Sequence, residues 1–313
     1  MVLSGRHIAL YIHNSILWPN VDSGSASILL QGSSPATENR LLTVNLHLQE
    51  AGEGRFTVLI DTPMSTGIKE DRHLFGGAGV AAAIHAMERF SGQEALWGCA
   101  QFQSVAKIGQ TLELVETARV AGRSISQFSI SAQVDGETVL QFTGATGDTR
   151  PHAEDQNWVH RETMPDIAAA KFVVAHNDAH EDIHGRFEAR QVKGRFGKFS
   201  RDPRTDNQKV EVWFRPFSGV VDRAVLAMLC DFVPATTTNA LGVRSGGRSI
   251  DNHIRFGRLV PTEWVLAEFH MVSIAHGTGY GMSTLYAEDG TIMAIGSQNF
   301  RLSLSPRADE RRT

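Results

Sequence analysis

"LFGGAGVAAAIHAMERF", residues 74–90, is the segment on which the fold of this chain depends. Apolar residues occur nearly all round it, a pattern that predicts a helix buried on every side. "PFSGVVDRAVLAMLCDF", residues 216–232, has the same form. Both contain Phe-x-Gly, at 75–77 and 217–219, and both follow a short predicted strand, "FTVLID" or "KVEVWF". The chain therefore contains two copies of a weak internal repeat.

About four strands with alternating apolar residues follow each predicted helix. Asp135-Gly136 and Asp289-Gly290 are matching hairpin turns before the last strand of each copy. A long helix followed by an antiparallel meander must bury its apolar surface against a sheet that curls around it. The pattern predicts an α+β fold with two antiparallel sheets, each wrapping a long central helix. The predicted strands lie near 96–105, 111–120, 124–134 and 138–146 in the first copy, and near 249–258, 263–273, 278–287 and 291–303 in the second.

Composition indicates which parts of the chain lie outside the two repeat units. The segment from 148 to 184 is polar, charged and interrupted by proline, which predicts a connection between the two copies. The start of the chain is rich in Ser, Gly, Asn and Pro over 19–40, which is typical of a poorly ordered extension. The predicted parts are an N-terminal extension at 1–42, a first unit at 43–147, a linker at 148–184, a second unit at 185–305 and a tail at 306–313.

Charge and cysteine content exclude several classes of function. The chain has 313 residues, a formal net charge of -4 and no long basic block, so no nucleic-acid partner is predicted. No apolar run approaches the roughly 20 residues that span a bilayer, so no membrane association is predicted. Cys99 and Cys230 form no disulfide framework and no zinc motif, which favours a reducing compartment and a cytoplasmic location. His176, His180 and His184 share a four-residue spacing, but they lie in the polar linker and are predicted to be solvated rather than to bind a metal.

Several motifs in this order resemble the double-hotdog acyl-CoA thioesterases of the bacterial thioesterase II type. The resemblance covers roughly residues 55–303. It implies hydrolysis of acyl-CoA to a free acid and CoA, a place in lipid and fatty-acid metabolism, no cofactor, and self-association as a dimer or larger oligomer. The motifs that carry it are "HLFGG" at 73–77, "VVDRAVLAMLCDF" at 220–232, "SIDNHIRFGR" at 249–258, Trp264 and "EDGTIMAIGSQNFRL" at 288–302.

Asp251 is a carboxylate within a predicted strand, where acids are uncommon. When Glu116 and Glu268 are matched, Asp251 falls opposite Cys99 of the first copy. When the two Asp-Gly turns are matched, Gln298 falls opposite Gly144. Polar groups at only one of two equivalent places predict one site per chain, in the second copy.

The resemblance points to the same pair. It implies that Asp251 and Gln298 hold the attacking water together with a nearby hydroxyl group, for which Ser273 is the first choice and Thr278 the second. The family typically has His directly after this Asp, whereas this chain has Asn252 there and His253 one place later.

The chemistry of thioester hydrolysis suits these residue types. An Asp can act as general base on a water molecule, and a Gln can orient that water with its amide. The developing oxyanion needs donors, which a helix N-terminus with little side-chain bulk can provide. Gly77 and Gly76, at the start of the first helix, are predicted to bind the oxyanion or substrate, and Thr278 is a further candidate for substrate binding.

Two other functions stay open on the sequence. A hotdog enoyl-CoA hydratase or dehydratase would share the fold, although no hydratase motif with its downstream His is present. A non-catalytic acyl-binding protein would also share the fold, and the departure at Asn252 is compatible with it. No Gly-x-Ser-x-Gly motif occurs, which disfavours an α/β-hydrolase with a serine nucleophile.

Overall fold

The computed structural model contains both predicted repeat units, each a helix followed by antiparallel strands. The predicted extension at 1–42 and the tail at 306–313 lie outside the described residues. The structure describes residues 46–67, 71–159, 161, 163–173, 181–197, 208–217 and 220–304.

Helix α1, Gly76–Ser91, confirms the helix predicted at 74–90. Alanine, the strongest helix former, dominates its middle, and most of its residues are buried. Gly92 ends the helix in the left-handed conformation with φ of 68°, a conformation that costs glycine little. At the other end, Phe75 precedes the helix and offers no side chain to accept its first N–H groups.

Helix α2, Arg223–Cys230, is shorter than the helix predicted at 216–232. The Asp222 side chain accepts the Val225 N–H over 2.8 Å and caps the helix, which therefore begins at Arg223, seven residues after the start of the predicted segment. Asp231 follows the last turn, and a 3₁₀ turn at Val233–Thr236 contains Pro234, which cannot extend an α-helix.

Helix α3, Thr237–Leu241, follows the 3₁₀ turn directly. Among the described residues, no single helix is long and apolar enough to cross a bilayer. The stretches 223–230 and 233–241 reach that length and composition only when they are taken together across a 43° bend.

The two meanders form one continuous sheet of 14 strands, whereas the sequence pattern predicts two sheets. They join because β5 pairs with β13 in antiparallel register, with Cys99 opposite His253. The strand order is β1-β2-β6-β7-β8-β5-β13-β16-β15-β14-β11-β10-β9, with β12 paired to β16, and β3 and β4 form a separate pair. The strands are β1 Gln49–Glu50, β2 Arg55–Leu59, β3 Ser65–Thr66, β4 His73–Leu74, β5 Glu94–Phe102, β6 Thr111–Val120, β7 Ile125–Val134, β8 Glu137–Gly147, β9 Lys171–Phe172, β10 Phe187–Lys193, β11 Lys209–Pro216, β12 Ser245–Ser249, β13 Asp251–Phe256, β14 Val265–Ala275, β15 Thr278–Ala287 and β16 Ile292–Leu304.

Each helix packs on the meander that follows it in the chain. Helix α1 contacts β5, β6, β7 and β8, and α2 contacts β13, β15 and β16. The helices also contact each other, and buried residues of both halves form one main core cluster. This packing brings the end of α2 to the start of α1.

Part of the predicted linker covers the outer face of the second half. Met164 and Ile167 pack on a cluster that contains Trp213, Trp264 and Tyr286. Strand β9, from the same segment, pairs with β10 at the edge of the sheet. The second half is therefore buried on both faces of its central strands, and Trp213 is 1% exposed.

Candidate active site

Asp231 is a fully enclosed carboxylate at the contact between the two helices. It caps the C-terminus of α2, and 3% of its surface is exposed. Its side chain turns toward the first turn of α1, where the Gly77 N–H donates to Asp231 Oδ2 over 2.7 Å. A buried charge needs such partners, because its transfer from water is otherwise costly.

Three side chains from the sheet donate to the other oxygen of the same carboxylate. Asn252 Nδ2 lies 3.1 Å and Ser249 Oγ 3.2 Å from Asp231 Oδ1. Gln298 Nε2 also donates to Asp231 Oδ1, and it lies 2.8 Å from Ser249 Oγ. The four donors together with Asp231 are called the Asp231 cluster below: Gly77, Asp231, Ser249, Asn252 and Gln298.

Strand alternation directs these side chains inward. In β13, Asn252 and Ile254 are buried, while His253 between them points to the outer face. In β16, Gln298 and Phe300 are buried in the same way. His253 pairs with Ser297, so Asn252 and Gln298 lie side by side beneath the helices.

The start of α1 is built for close approach. A β-carbon at Gly76 would lie 2.7 Å from Asp231 Oδ2, and one at Gly77 would lie 2.9 Å from Met228 Cα. Both positions therefore need glycine for the helices to meet. Because Phe75 provides no cap, Asp231 supplies the missing acceptor from α2, with its negative charge at the positive end of the α1 dipole.

Burial raises the pKa of Asp231 to about 6, against its ordinary value of 3.8. Hydrogen bonds from Asn252, Gly77, Ser249 and Gln298 act in the opposite direction, since they stabilise the ionised form. The adjacent Cys230 stays neutral, because burial raises the pKa of its thiol to about 12. A carboxyl group that titrates near neutral pH within a ring of neutral donors suits a general base.

The structure does not bring Asp251 and Gln298 together, so their predicted convergence was wrong. Asp251 Oδ1 accepts the Asn299 N–H over 2.8 Å, and Asp251 Oδ2 accepts from Asn299 Nδ2 over 2.8 Å. Neighbouring residues of a strand point to opposite faces, so Asp251 lies on the outer face and Asn252 takes the inner place. The acid beside Gln298 is Asp231.

Strand register also corrects the predicted alignment of the two copies. Cys99 pairs with Thr143 and His253 pairs with Ser297, so matching the two Asp-Gly turns sets His253, not Asp251, opposite Cys99. The two glutamates are not equivalent anchors: a β-bulge follows Glu116 directly, whereas the bulge in β14 lies further along the strand from Glu268, between Met271 and Ser273. Gln298 remains opposite Gly144, and Asn252 stands opposite Gly98.

Neither predicted hydroxyl joins the Asp231 cluster. Ser273 is exposed and pairs with Tyr280, and Thr278 pairs with Arg301. Gly281 is the residue of β15 that faces Gln298, so these positions belong to the outer face. The hydroxyl in the cluster is Ser249.

Gly76 and Gly77 do lie at the cluster, but the Gly77 N–H is not left free for a substrate oxygen. It donates to Asp231 instead.

Sequence reasoning missed Asp231, Ser249 and Asn252. Asp231 ends an otherwise apolar run, "AVLAMLC", and an acid at the end of a buried helix is a signal that was available. Ser249 and Asn252 flank Ile250 and Asp251 within the quoted strand motif, but the choice of strand face excluded them.

No metal site appears among the residues that the structure describes. These residues contain no group of three or more His, Cys, Asp or Glu side chains able to hold an ion. His184 Nδ1 lies 3.1 Å from Asp182 Oδ1, while His176 and His180 are outside the described residues.

Solved structures with a similar fold include one that is described as having a hot dog fold. A candidate thioesterase from Novosphingobium aromaticivorans DSM 12444 is 24% identical, with a TM-score of 0.72 over 83% of this chain and 98% of that one. A conserved protein with a hot dog fold from Alicyclobacillus acidocaldarius is 20% identical, with a TM-score of 0.69 over 83% and 96%. The acyl-CoA thioesterase II TesB2 from Mycobacterium marinum is 13% identical, with a TM-score of 0.64 over 84% and 97%.

The sequence itself identifies the family of the second half. No curated protein gives a significant match to the chain. Residues 153–302 match the family described as the acyl-CoA thioesterase C-terminal domain, and this range contains every side chain of the Asp231 cluster. The match covers 150 of the 313 residues, and together with the thioesterase II-type structure it supports a thioester hydrolase.

Proposed function

We propose that this protein is an acyl-CoA thioesterase in which Asp231 activates the attacking water. The observation that carries the proposal is the buried Asp231 carboxylate, which receives hydrogen bonds from Gly77, Ser249, Asn252 and Gln298. The chain is proposed to be a double hotdog, with one helix-and-meander unit on each side of the β5–β13 pair.

The reaction balances with Asp231 as the proton carrier. The water oxygen bonds to the thioester carbonyl carbon while one water proton passes to the Asp231 carboxylate. The tetrahedral intermediate then expels the CoA sulfur as the C–S bond breaks, and the same proton passes from Asp231 to the leaving thiolate. The products are a free acid and the CoA thiol.

The other members of the cluster fix the carboxylate. Gln298 and Ser249 hold Asp231 Oδ1, so the carboxylate keeps one orientation while water approaches. The first turn of α1 brings its positive end to the same place, where negative charge on the carbonyl oxygen would be stabilised. Gly76 keeps this helix end free of side-chain bulk, and in this proposal Gly77 binds the carboxylate rather than the substrate oxygen.

A panel of acyl-CoA substrates tests the proposal. Release of CoA thiol, followed with a thiol reagent, is expected for at least one acyl class. Hydration of crotonyl-CoA without thiol release would assign the protein to the hydratases. Tight binding of acyl-CoA with neither reaction would assign it to the acyl-binding proteins.

Three further predictions from the sequence are kept as proposals. Light scattering would test self-association as a dimer or larger oligomer. Cell fractionation would test a cytoplasmic location. A role in lipid and fatty-acid metabolism depends on which acyl chains are hydrolysed fastest.

A further inference from the structure

We propose that Asn252 is a positioning residue of the reaction, with one end of its amide holding Asp231 and the other end holding the attacking water. The inference rests on the thioesterase function proposed above. It adds a second amide to a site in which Gln298 alone was expected.

The first half of the argument concerns the donor end of the amide. Asn252 Nδ2 donates to Asp231 Oδ1 over 3.1 Å, and Asn252 is 1% exposed. A buried hydrogen bond to a charged group is stronger than a neutral one, because it stabilises the ionised form inside a medium of low polarity. Removal of this donor leaves the carboxylate less stable and less well oriented.

The second half concerns the acceptor end. Asn252 Oδ1 and Gln298 Oε1 are buried and have no hydrogen-bond partner among the described residues. Buried amide oxygens are nearly always paired, with protein or with water. The two lie on adjacent strands beside Asp231, so a water molecule that gives one proton to Asp231 can share its other proton between them.

The elements around Asp231 present neutral groups to it. These groups are Gly77 of α1, Ser249 of β12, Asn252 of β13 and Gln298 of β16, and the titratable neighbour Cys230 is neutral. A change in the titration of Asp231 after substitution of Asn252 therefore reports on the lost amide rather than on a displaced charge.

The outer face of the sheet provides a matched control. Asn299 Nδ2 donates to Asp251 Oδ2 over 2.8 Å, which is the same residue pair in the same chemical relation on the neighbouring strand. Asn252→Leu and Asn299→Leu therefore remove the same kind of hydrogen bond on opposite faces. Asn252→Ser, which keeps a smaller polar group, takes the place of Asn252→Leu if that variant does not unfold cooperatively.

Three measurements on the full chain test the inference: kcat, KM and the pH profile of kcat/KM. Asn252→Leu is expected to lower kcat about 10- to 100-fold with little change in KM, the size of a lost hydrogen bond to a charged group. Its acid limb is expected to move to higher pH, because loss of a donor raises the pKa of Asp231. Asn299→Leu is expected to leave all three values close to those of the wild type.

The outcomes separate this inference from the function on which it rests. An Asn252→Leu enzyme with wild-type kcat and an unmoved acid limb overturns the role of Asn252, provided that Asp231→Asn is inactive. A wild-type protein without thioester turnover overturns the proposed function, and the proposed catalytic role of Asn252 fails with it. A carbon NMR titration of Asp231 in both proteins then still decides whether Asn252 stabilises its ionised form.

Discussion

Each half of the molecule contains a helix and a meander, but the residues at equivalent interior positions are polar in one half and apolar in the other. In the C-terminal half, Asn252 and Gln298 project inward and bind Asp231. In the N-terminal half, Gly98 and Gly144 stand opposite each other on β5 and β8. Phe142 occupies the space that their side chains would need, since a β-carbon at Gly98 would lie 2.5 Å from its ring. One scaffold thus holds a polar cluster on one side and an apolar plug on the other.

Helix length adds to this difference. Helix α1 has 16 residues and α2 has 8. Because α2 ends early, Asp231 meets the first turn of α1, and its carboxylate replaces the cap that Phe75 does not provide. The unequal helices, rather than the strands alone, decide where a carboxylate can be buried.

The largest expected effect on kcat distinguishes Asp231, on the inner face of the sheet, from Asp251, on the outer face. Asp231→Asn should lower kcat by about 10²- to 10⁴-fold, the usual contribution of a general base. Asp251→Asn removes the same charge on the outer face and should keep kcat within about twofold. Thiol release from acyl-CoA measures both, and the reverse result would return the site to Asp251.

The second prediction concerns the apolar plug of the N-terminal half. Phe142 is 1% exposed, so Phe142→Ala should lower the free energy of unfolding by about 3–5 kcal/mol. The folded fraction should keep its kcat, because none of the hydrogen bonds within the Asp231 cluster involves Phe142. Phe172→Ala, at a side chain that is 58% exposed, is the control and should change stability by less than about 0.5 kcal/mol. Urea denaturation distinguishes the two, and a large loss of kcat in folded Phe142→Ala would mean that the halves are not separate in function.

The third prediction uses the raised pKa of Asp231. Between pH 3.8 and about 6 the folded state holds the Asp231 proton more tightly than the unfolded state does. The stability of the wild type relative to Asp231→Asn should therefore fall as pH rises through this window, by roughly 2–3 kcal/mol in total. Urea denaturation of both proteins at several pH values tests this. A relative stability that rises with pH would mean that the cluster lowers this pKa.

The smallest effect is expected at the seam between the halves, which is the β5–β13 strand pair. Cys99 Sγ lies 3.2 Å from His253 Nε2, on the face of the sheet opposite the Asp231 cluster. Cys99→Ala should change kcat by less than about twofold and stability by less than about 1 kcal/mol. A tenfold loss of kcat in this variant would place chemistry at the seam.

Local sequence patterns were enough for the elements and for part of the site. The alanine-rich run of α1, the two Asp-Gly turns and the position of Gln298 opposite Gly144 could all be read directly, since each depends on neighbours in the chain. The continuity of the sheet could not be predicted from local patterns, because the β5–β13 pair joins strands about 150 residues apart.

Asp231 shows why the rest of the site was missed. Its place depends on where α2 ends, which Asp222 and Pro234 set together, and on α1 lying against that end. The strand face of Asp251 depends on how β13 pairs with β5 and β16, which are distant in the chain. Both are properties of packing rather than of any single segment.

The central claim is that the reacting thioester lies at the Asp231 cluster in the C-terminal half. A crystal structure of the slow Asp231→Asn variant with an intact acyl-CoA measures this directly. The account predicts a water molecule within about 3.5 Å of the thioester carbon and within hydrogen-bond reach of residue 231 and Gln298. A thioester bound on the outer face beside Asp251, or beside Gly98 and Gly144, would contradict it.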